Sequence, residues 1–198
     1  GFCRDQLFEL LSVARTNDIF VTLDMEGSDL TQSTLDLFEE AYREYPDHVG
    51  AVLQAYLKRT AEDIAHLCDL NARVRLCKGA YNEAPEIAYQ EMDTIRKKFT
   101  AYMKMLITNA RYPGIATHDK TLIQATKQFV AEHEVSRDDF EFQMLYGIRP
   151  STQKQLVEEG YNCLVYVPYG PEWLPYFSRR LRERKENVWF VVKHLLRA

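Results

Sequence analysis

The sequence predicts an α/β protein built on a parallel sheet, and three observations support that fold class. Short β-rich runs alternate with helical patterns along the chain. The runs recur at the interval of a βα unit, which is roughly 30 residues. No apolar run approaches the roughly 20 residues that a membrane-spanning helix needs. With 198 residues and no linker or low-complexity segment, we expect residues 1–198 to form one domain.

The predicted strands are short runs rich in β-branched and aromatic residues, and the segments between them carry apolar residues three or four positions apart. The predicted strands are 18–26, 49–56, 73–81, 114–119, 140–147 and 163–170. The predicted helices are 32–45, 60–71, 84–110, 120–134 and 152–160, with further helical patterns at the start of the chain and over 171–188.

Most predicted strands have one apolar face and one face that becomes polar toward the carboxyl end. An open sheet covered by helices on both sides keeps both faces apolar. A (βα)8 barrel instead opens its inner face at the carboxyl ends of its strands, so the pattern favours a barrel. The residues expected to converge at that mouth are Asp24, Glu26, Gln54, Tyr56, Arg75, His118, Glu141, Gln143 and Tyr166.

Only six strands are predicted, whereas a closed barrel of this type needs eight. The chain starts at Gly1 inside a helical pattern. Two explanations stay open: two strands precede this segment in a longer chain, or the barrel is incomplete.

Composition narrows the class of protein further. Apolar residues make up 46% and charged residues 27%, with a formal net charge of −4. This balance argues against a general nucleic-acid surface. The four Cys residues are scattered without a CxxC pair, which is typical of reduced thiols in a cytoplasmic protein.

The stretch "RVRLCKGAY" places two cations, Arg75 and Lys78, in an otherwise buried strand. Burying a cation is costly unless an anion meets it. Two roles for Lys78 stay open. It could form a Schiff base, as a lysine at the end of a barrel strand can, or it could offer a fixed charge to a phosphate beside Gly79.

The pattern "PEWLPYFSRRLRERKENV" predicts a last helix with Tyr176, Arg179, Arg180 and Glu183 on one face. The two Arg residues could form a solvated face with an Arg179–Glu183 ion pair. They could instead form a fork that binds a carboxylate or phosphate.

Other common sites find little support in the sequence. His118, with Asp24, Glu26 and Glu141, could form a metal cluster, but no HxH or HExxH spacing is present. A single His on a strand is more often a hydrogen-bonded structural residue. Neither GxGxxG nor a P-loop motif occurs, so we expect no metal and no Rossmann or P-loop nucleotide site.

In this order, "LDMEG", "LQAY", "RLCKGAY", "ATHD", "FEFQMLYG", "VYVPYG" and "YFSRRLRER" resemble proline dehydrogenases, the FAD enzymes that oxidise L-proline. The likeness is greatest to the monofunctional bacterial type and covers nearly the whole chain. It implies a distorted (βα)8 TIM-like barrel that lacks its first two strands in this chain, the second of which carries a substrate-binding Lys in the family.

The resemblance also implies roles for individual residues. Asp24 and Arg75 would be catalytic, with Arg75 near flavin N5, and Lys78 would face the FAD phosphates. The implied substrate-binding residues are Arg179, Arg180, Tyr166, Tyr176, Leu145 and Glu183. The implied FAD-binding residues are Met25, Gln54, Arg75, Cys77, Lys78, Gly79, Ala80, Thr117, His118 and Gln143.

The activity implied is the oxidation of L-proline to Δ1-pyrroline-5-carboxylate by hydride transfer to flavin N5, the first step of proline catabolism. A quinone would accept the electrons, and a cytoplasmic enzyme could reach it by peripheral contact with the inner membrane face. Two alternatives stay open, a Schiff-base lyase using Lys78 and a non-catalytic barrel fragment.

Overall fold

The computed structural model describes residues 1–170. The chain divides into two units, Gly1–Val165 and a second that begins at Tyr166, and the elements below lie in the first unit except for Tyr166, the last residue of the sixth strand. Its elements alternate between helix and strand, as the sequence predicts. In chain order they are α1 (Phe2–Thr16), β1 (Val21–Leu23), a 3-10 turn (Ser28–Leu30), α2 (Thr31–Glu44), β2 (Val49–Gln54), α3 (Thr60–Asp69), β3 (Val74–Cys77), α4 (Met92–Asn109), β4 (Gly114–Ala116), α5 (Lys120–Glu132), β5 (Glu141–Leu145), α6 (Pro150–Glu158) and β6 (Asn162–Tyr166).

The strands form one six-stranded sheet in sequential order, from β1 to β6. The pairs from β1 to β5 are all parallel, which is the geometry that βα repeats require. Within residues 1–170, β1 and β6 lie at the two ends of the sheet. The predicted α/β class with a parallel sheet is therefore confirmed.

The core lies between the sheet and the helices that follow its strands. Strand β2 is buried along its whole length, and α2 and α3 pack against it, while α4 packs on β3. The aromatic rings of Phe38, Phe99 and Phe142 are fully buried there. Burying each such ring stabilises the folded state by roughly 1.5–3 kcal/mol relative to leaving it exposed.

Helix α4 begins later than its sequence pattern predicts. The predicted helix covers 84–110, but the observed one begins at Met92. Before it, Ala88 forms an antiparallel bridge with Leu57, and Tyr89 donates its N–H to the carbonyl of Tyr56 at 2.8 Å. The apolar residues of this segment therefore cover the end of β2, where Ala88 and Tyr89 pack with Tyr56 and Leu57.

Two helix starts fix the chain close to the carboxyl ends of the strands. Asp119 follows β4 and caps α5, accepting the N–H of Thr121 at 3.1 Å. Pro150 occupies the first turn of α6, where its missing N–H costs nothing. None of the helices in residues 1–170 is long and apolar enough to cross a membrane.

Candidate active site

Arg75 is the centre of a hydrogen-bonded group on one face of the sheet. Its Nη1 lies 2.5 Å from Oδ1 of Asp24, which follows β1. Its Nε donates to Oε1 of Gln143 on β5, also at 2.5 Å. The Arg75 side chain is only 16% exposed, whereas that of Asp24 is 57% exposed. A largely buried cation thus has an anion from the loop after β1 and a neutral acceptor from β5.

The group continues from Gln143 toward the amino ends of β5 and β3. Nε2 of Gln143 donates to Oε1 of Glu141 at 2.6 Å. Nη2 of Arg73 lies 3.7 Å from the same carboxylate oxygen. The guanidinium of Arg73 also lies over the rings of Phe20 and Tyr112, at 3.9 and 4.5 Å from their centroids. Burial lowers the pKa of Arg73, while Glu141 opposes that shift.

A second charged group lies where β3 and β4 end. Nζ of Lys78 is 3.2 Å from Oδ2 of Asp119, and Nε of Arg96 donates to the same oxygen at 2.9 Å. Burial alone would raise the pKa of Asp119, but the hydrogen bond from Arg96 and the charge of Lys78 lower it to about 2. Asp119 is therefore a carboxylate at neutral pH, and two cations of different elements share it.

His118 is held neutral between β4 and β5. Its Nε2 accepts the backbone N–H of Leu145 at 2.8 Å, so the ring proton lies on Nδ1. Burial and the nearby charges of Arg149 and Lys78 lower the pKa of His118 to about 4. The neighbouring Thr117 is buried and its hydroxyl accepts the N–H of Asp119 at 3.1 Å.

Gly79 allows the backbone after β3 to approach the ring of Tyr56. Its φ is +100°, a conformation that favours glycine. A Cβ at this position would lie 2.1 Å from the Tyr56 ring. Tyr56 itself is buried, and burial raises the pKa of its hydroxyl above the usual value. The glycine is thus required by both backbone conformation and packing.

The remaining predicted residues of the first unit surround these groups. Gln54 is buried and donates to the backbone carbonyl of Glu26 at 2.9 Å. Met25 is buried, and Cys77 and Ala80 are half-buried. Tyr166 belongs to the second unit. The predicted residues Tyr176, Arg179, Arg180 and Glu183 lie outside the described part of the chain.

The structure adds residues that the sequence did not single out. The loop after β1 is tied to the loop after β3, because Ser28 donates its N–H and hydroxyl to Glu83 at 2.8 and 2.6 Å. The hydroxyl of Tyr81 binds Glu26 in the same region. Tyr81 and Asp119 end the stretches "RLCKGAY" and "ATHD", so these motifs could have pointed to both residues. Nothing in the helical pattern marks Arg96.

These donors suit a bound group that carries phosphates and ring acceptor atoms. Arg75 and Lys78 supply cations from one strand end, and His118 supplies a neutral N–H. Charge-assisted bonds from such cations are the strong contacts of phosphate sites. In residues 1–170, no three His, Cys, Asp or Glu side chains are grouped in a way that could hold a metal ion.

A parallel α/β sheet with charged side chains at its strand ends defines a class that includes many barrel enzymes, and comparison with known proteins narrows it. The family profile described as "Proline dehydrogenase" matches residues 6–193. The chain belongs to the proline dehydrogenase family.

Individual relatives agree with that assignment. The chain is 45% identical over 188 residues to proline dehydrogenase 1 of Bacillus subtilis, covering 95% of this chain and 62% of the relative. It is 41% identical over 189 residues to proline dehydrogenase of Deinococcus radiodurans, covering 95% and 61%. The chain thus spans less than two thirds of the length of these curated relatives.

Solved structures show the same fold. Proline utilization A (PutA) from Bdellovibrio bacteriovorus, inactivated by N-propargylglycine, superposes with a TM-score of 0.83 at 28% identity. The match covers 90% of this chain and 21% of that one. PutA from Bradyrhizobium japonicum (mutant D778Y) gives 0.79, also at 28% identity, over 90% and 21% of the two chains.

Proposed function

We propose that the protein is an FAD-dependent proline dehydrogenase that oxidises L-proline to Δ1-pyrroline-5-carboxylate. The observation that carries this proposal is Arg75, a largely buried cation held by Asp24 and Gln143 at 2.5 Å each, in a chain of the proline dehydrogenase family. Proline would give up a hydride from the carbon beside its ring nitrogen and a proton from that nitrogen. A quinone is the proposed acceptor of the electrons.

The residues of the first unit would hold the cofactor in two parts. When bound, FAD supplies the hydride acceptor at N5. Arg75 would place its charge beside the flavin ring, and Lys78 would face the phosphates with Gly79 and Ala80 beside it. His118 would offer its Nδ1–H. The other proposed FAD contacts are Met25, Gln54, Cys77, Thr117 and Gln143.

The substrate would be held mainly by residues near the carboxyl end of the chain. Arg179 and Arg180 would clamp the proline carboxylate, since two guanidinium groups orient a small ring better than one point contact. Glu183 would support that pair. The proposed ring contacts are Leu145, Tyr166 and Tyr176, with Asp24 as a further active-site residue.

We also propose that residues 1–198 are one catalytic domain of an eight-stranded (βα)8 barrel. The sheet provides support, because β1 and β6 each have one strand neighbour in residues 1–170. Unpaired parallel edges are usually covered or closed in soluble proteins. Two further strands between these edges would complete the barrel.

The proposed function predicts a flavin spectrum that responds to proline. The purified protein should be yellow as isolated or after loading with FAD, and anaerobic addition of L-proline should bleach its flavin absorbance. A protein that takes up no FAD, or one that holds FAD that proline does not reduce, would contradict the proposal.

A matched pair of variants tests Arg75 itself. Arg75→Met should slow flavin reduction by proline by about a hundredfold, the size of effect expected when a charge that stabilises the transition state is removed. Arg111→Met is the control, because Arg111 pairs with Asp47 at the surface at 2.7 Å and its loss should leave the rate unchanged.

A further inference from the structure

The side chain of Gln143 reaches from β5 to β3 across the strand between them. Arg75, Gly114 and Glu141 are register partners on β3, β4 and β5, so their side-chain positions lie in one row on one face. Gln143 is two residues after Glu141 on the same strand and shares that face. Its amide binds Arg75 at one end and Glu141 at the other.

Gly114 provides the space for this crossing. A Cβ on Gly114 would lie 2.4 Å from Nε2 of Gln143 and 2.8 Å from its amide carbon. Distances below 3 Å are not tolerated between such atoms, so even an alanine would displace the amide. The crossing of Gln143 over β4 therefore depends on the absence of a side chain at position 114.

The two partners of Gln143 permit only one orientation of its amide. The carboxylate of Glu141 can only accept hydrogen bonds, so it faces the NH₂ group of the Gln143 amide, at 2.6 Å. The guanidinium of Arg75 can only donate hydrogen bonds, so it donates to the carbonyl oxygen of the Gln143 amide at 2.5 Å. A flipped amide would point its oxygen at a carboxylate and its NH₂ at a guanidinium. Since Gln143 is buried, water cannot relieve either contact.

Glu141 is in turn held at the far end. Its side chain is 10% exposed, and the oxygen that accepts from Gln143 also lies 3.7 Å from Nη2 of Arg73. The rings of Phe20 and Tyr112 hold Arg73 in place. The carboxylate therefore faces the cation of Arg73, the amide of Gln143 and the hydroxyl of Tyr112, and these contacts hold its acceptor oxygen at Gln143.

We propose that Glu141 is a positioning residue for Arg75. Through the oriented amide of Gln143, it fixes the guanidinium so that Nη1 remains on Asp24 and the charge stays where the proposed site needs it. Glu141 makes no contact with Arg75 itself, so its effect passes through Gln143. The consequence for flavin chemistry rests on the proposed function, whereas the consequence for the Arg75 side chain does not.

Two variants disturb the crossing by different means. Glu141→Gln removes the charge that selects the amide orientation, and Gly114→Ala displaces Gln143 without changing any charge. In ¹⁵N spectra, both should shift or split the Nε–H signal of Arg75, which its loss in Arg75→Lys identifies. Glu39→Gln is the control, because Glu39 forms only a surface pair with His66 and should leave that signal unchanged.

The midpoint potential of bound FAD gives a second measurement. With Arg75 turned away, the affinity for reduced relative to oxidised FAD should fall about tenfold in both variants, which lowers the two-electron potential by about 30 mV. Simple removal of a negative charge in Glu141→Gln would raise the potential instead. Gly114→Ala keeps the test decisive if Glu141→Gln does not fold.

The outcomes separate this inference from the proposed function. An unchanged Arg75 signal in a folded variant, or a potential that rises in Glu141→Gln, overturns the positioning role. A further fall in the midpoint potential when Glu141→Gln is added to Gln143→Met also overturns it. The effects of the two changes on the potential should not add if both act through one amide. A wild-type protein that binds no FAD contradicts the proposed function, and the Arg75 signal then still tests the positioning role.

Discussion

Gly79 is the residue at which a single methyl group should do most harm. The structure gives two independent reasons, a φ of +100° and a Cβ position 2.1 Å from the Tyr56 ring. A side chain in this backbone region costs roughly 1–2 kcal/mol, and overpacking a buried site adds about 1–3 kcal/mol. Gly79→Ala should therefore lower the free energy of unfolding by about 2–5 kcal/mol, measured by urea denaturation.

Gly147 provides the control for this prediction. Its φ of +76° is also left-handed, but a Cβ there meets nothing within 4 Å. Gly147→Ala should cost only the backbone term of roughly 1–2 kcal/mol. Equal losses in the two variants would show that Tyr56 does not restrict position 79.

For individual residues, the sequence predicted which face of the sheet a side chain occupies better than which residues it contacts. The alternation of side chains placed Arg75, Glu141 and Gln143 on one face of the sheet, and the structure joins them through the Gln143 amide. It could not predict that Gly114 makes room for this contact, because alternation within a strand does not fix the register between neighbouring strands. The pairing of Arg96 with Asp119 was also out of reach, since it depends on how α4 packs.

Among the elements, α5 depends on Asp119 for both its cap and its charge environment. One carboxylate oxygen caps Thr121, and the other binds Lys78 and Arg96. The pKa of Asp119 is lowered from 3.8 to about 2, so its ionised form stabilises the folded state. That stabilisation is complete above about pH 4 and is lost as the pH falls toward about 2.

The variant Asp119→Asn tests this arrangement. At pH 7 it should lower the free energy of unfolding by about 1–2 kcal/mol, a value discounted because Arg96 is partly exposed and screened. The difference from wild type should shrink as the pH falls from about 4 to 2. Asp93→Asn is the control, because Asp93 is 87% exposed in its pair with Arg96; a loss as large as that of Asp119→Asn would contradict the proposed importance of the buried carboxylate.

The start of α4, predicted at 84 and observed at Met92, shows where element prediction stops working. The apolar spacing over 84–110 predicts a single helix, yet the first part of it bridges to Leu57 instead. Helical periodicity reports which side of a segment is apolar, and a loop that covers a strand end needs the same property. Tertiary contact with the end of β2 decided the outcome.

Across the whole molecule, burial is unevenly distributed over the sheet. β2 is completely buried, whereas every residue of β1 is partly exposed and β6 includes exposed Leu164 and Val165. In hydrogen exchange of the 198-residue chain by itself, amides of β2 and β3 should be protected most, and those of β1 and β6 should exchange faster. Uniform protection across all six strands would contradict this order of local stability.

The fold class followed from the βα repeat, because parallel strands need a crossover helix between them. Strand order from β1 to β6 was also the simplest arrangement of such repeats. Closure of the sheet could not follow from these six strands, since it depends on strands that their pattern does not contain. The family resemblance supplied what periodicity could not, namely which anionic group the cations of β3 would meet.

Because the side chain of Gln143 crosses over Gly114, the sizes of the residues at these two positions depend on each other. Position 114 can accept a side chain only if position 143 no longer fills the space above it. A shorter residue at 143 would in turn leave a void over the glycine, which costs stability in a buried site. A change of size at one position alone should therefore cost stability, and the effects of substitutions at the two positions should be coupled.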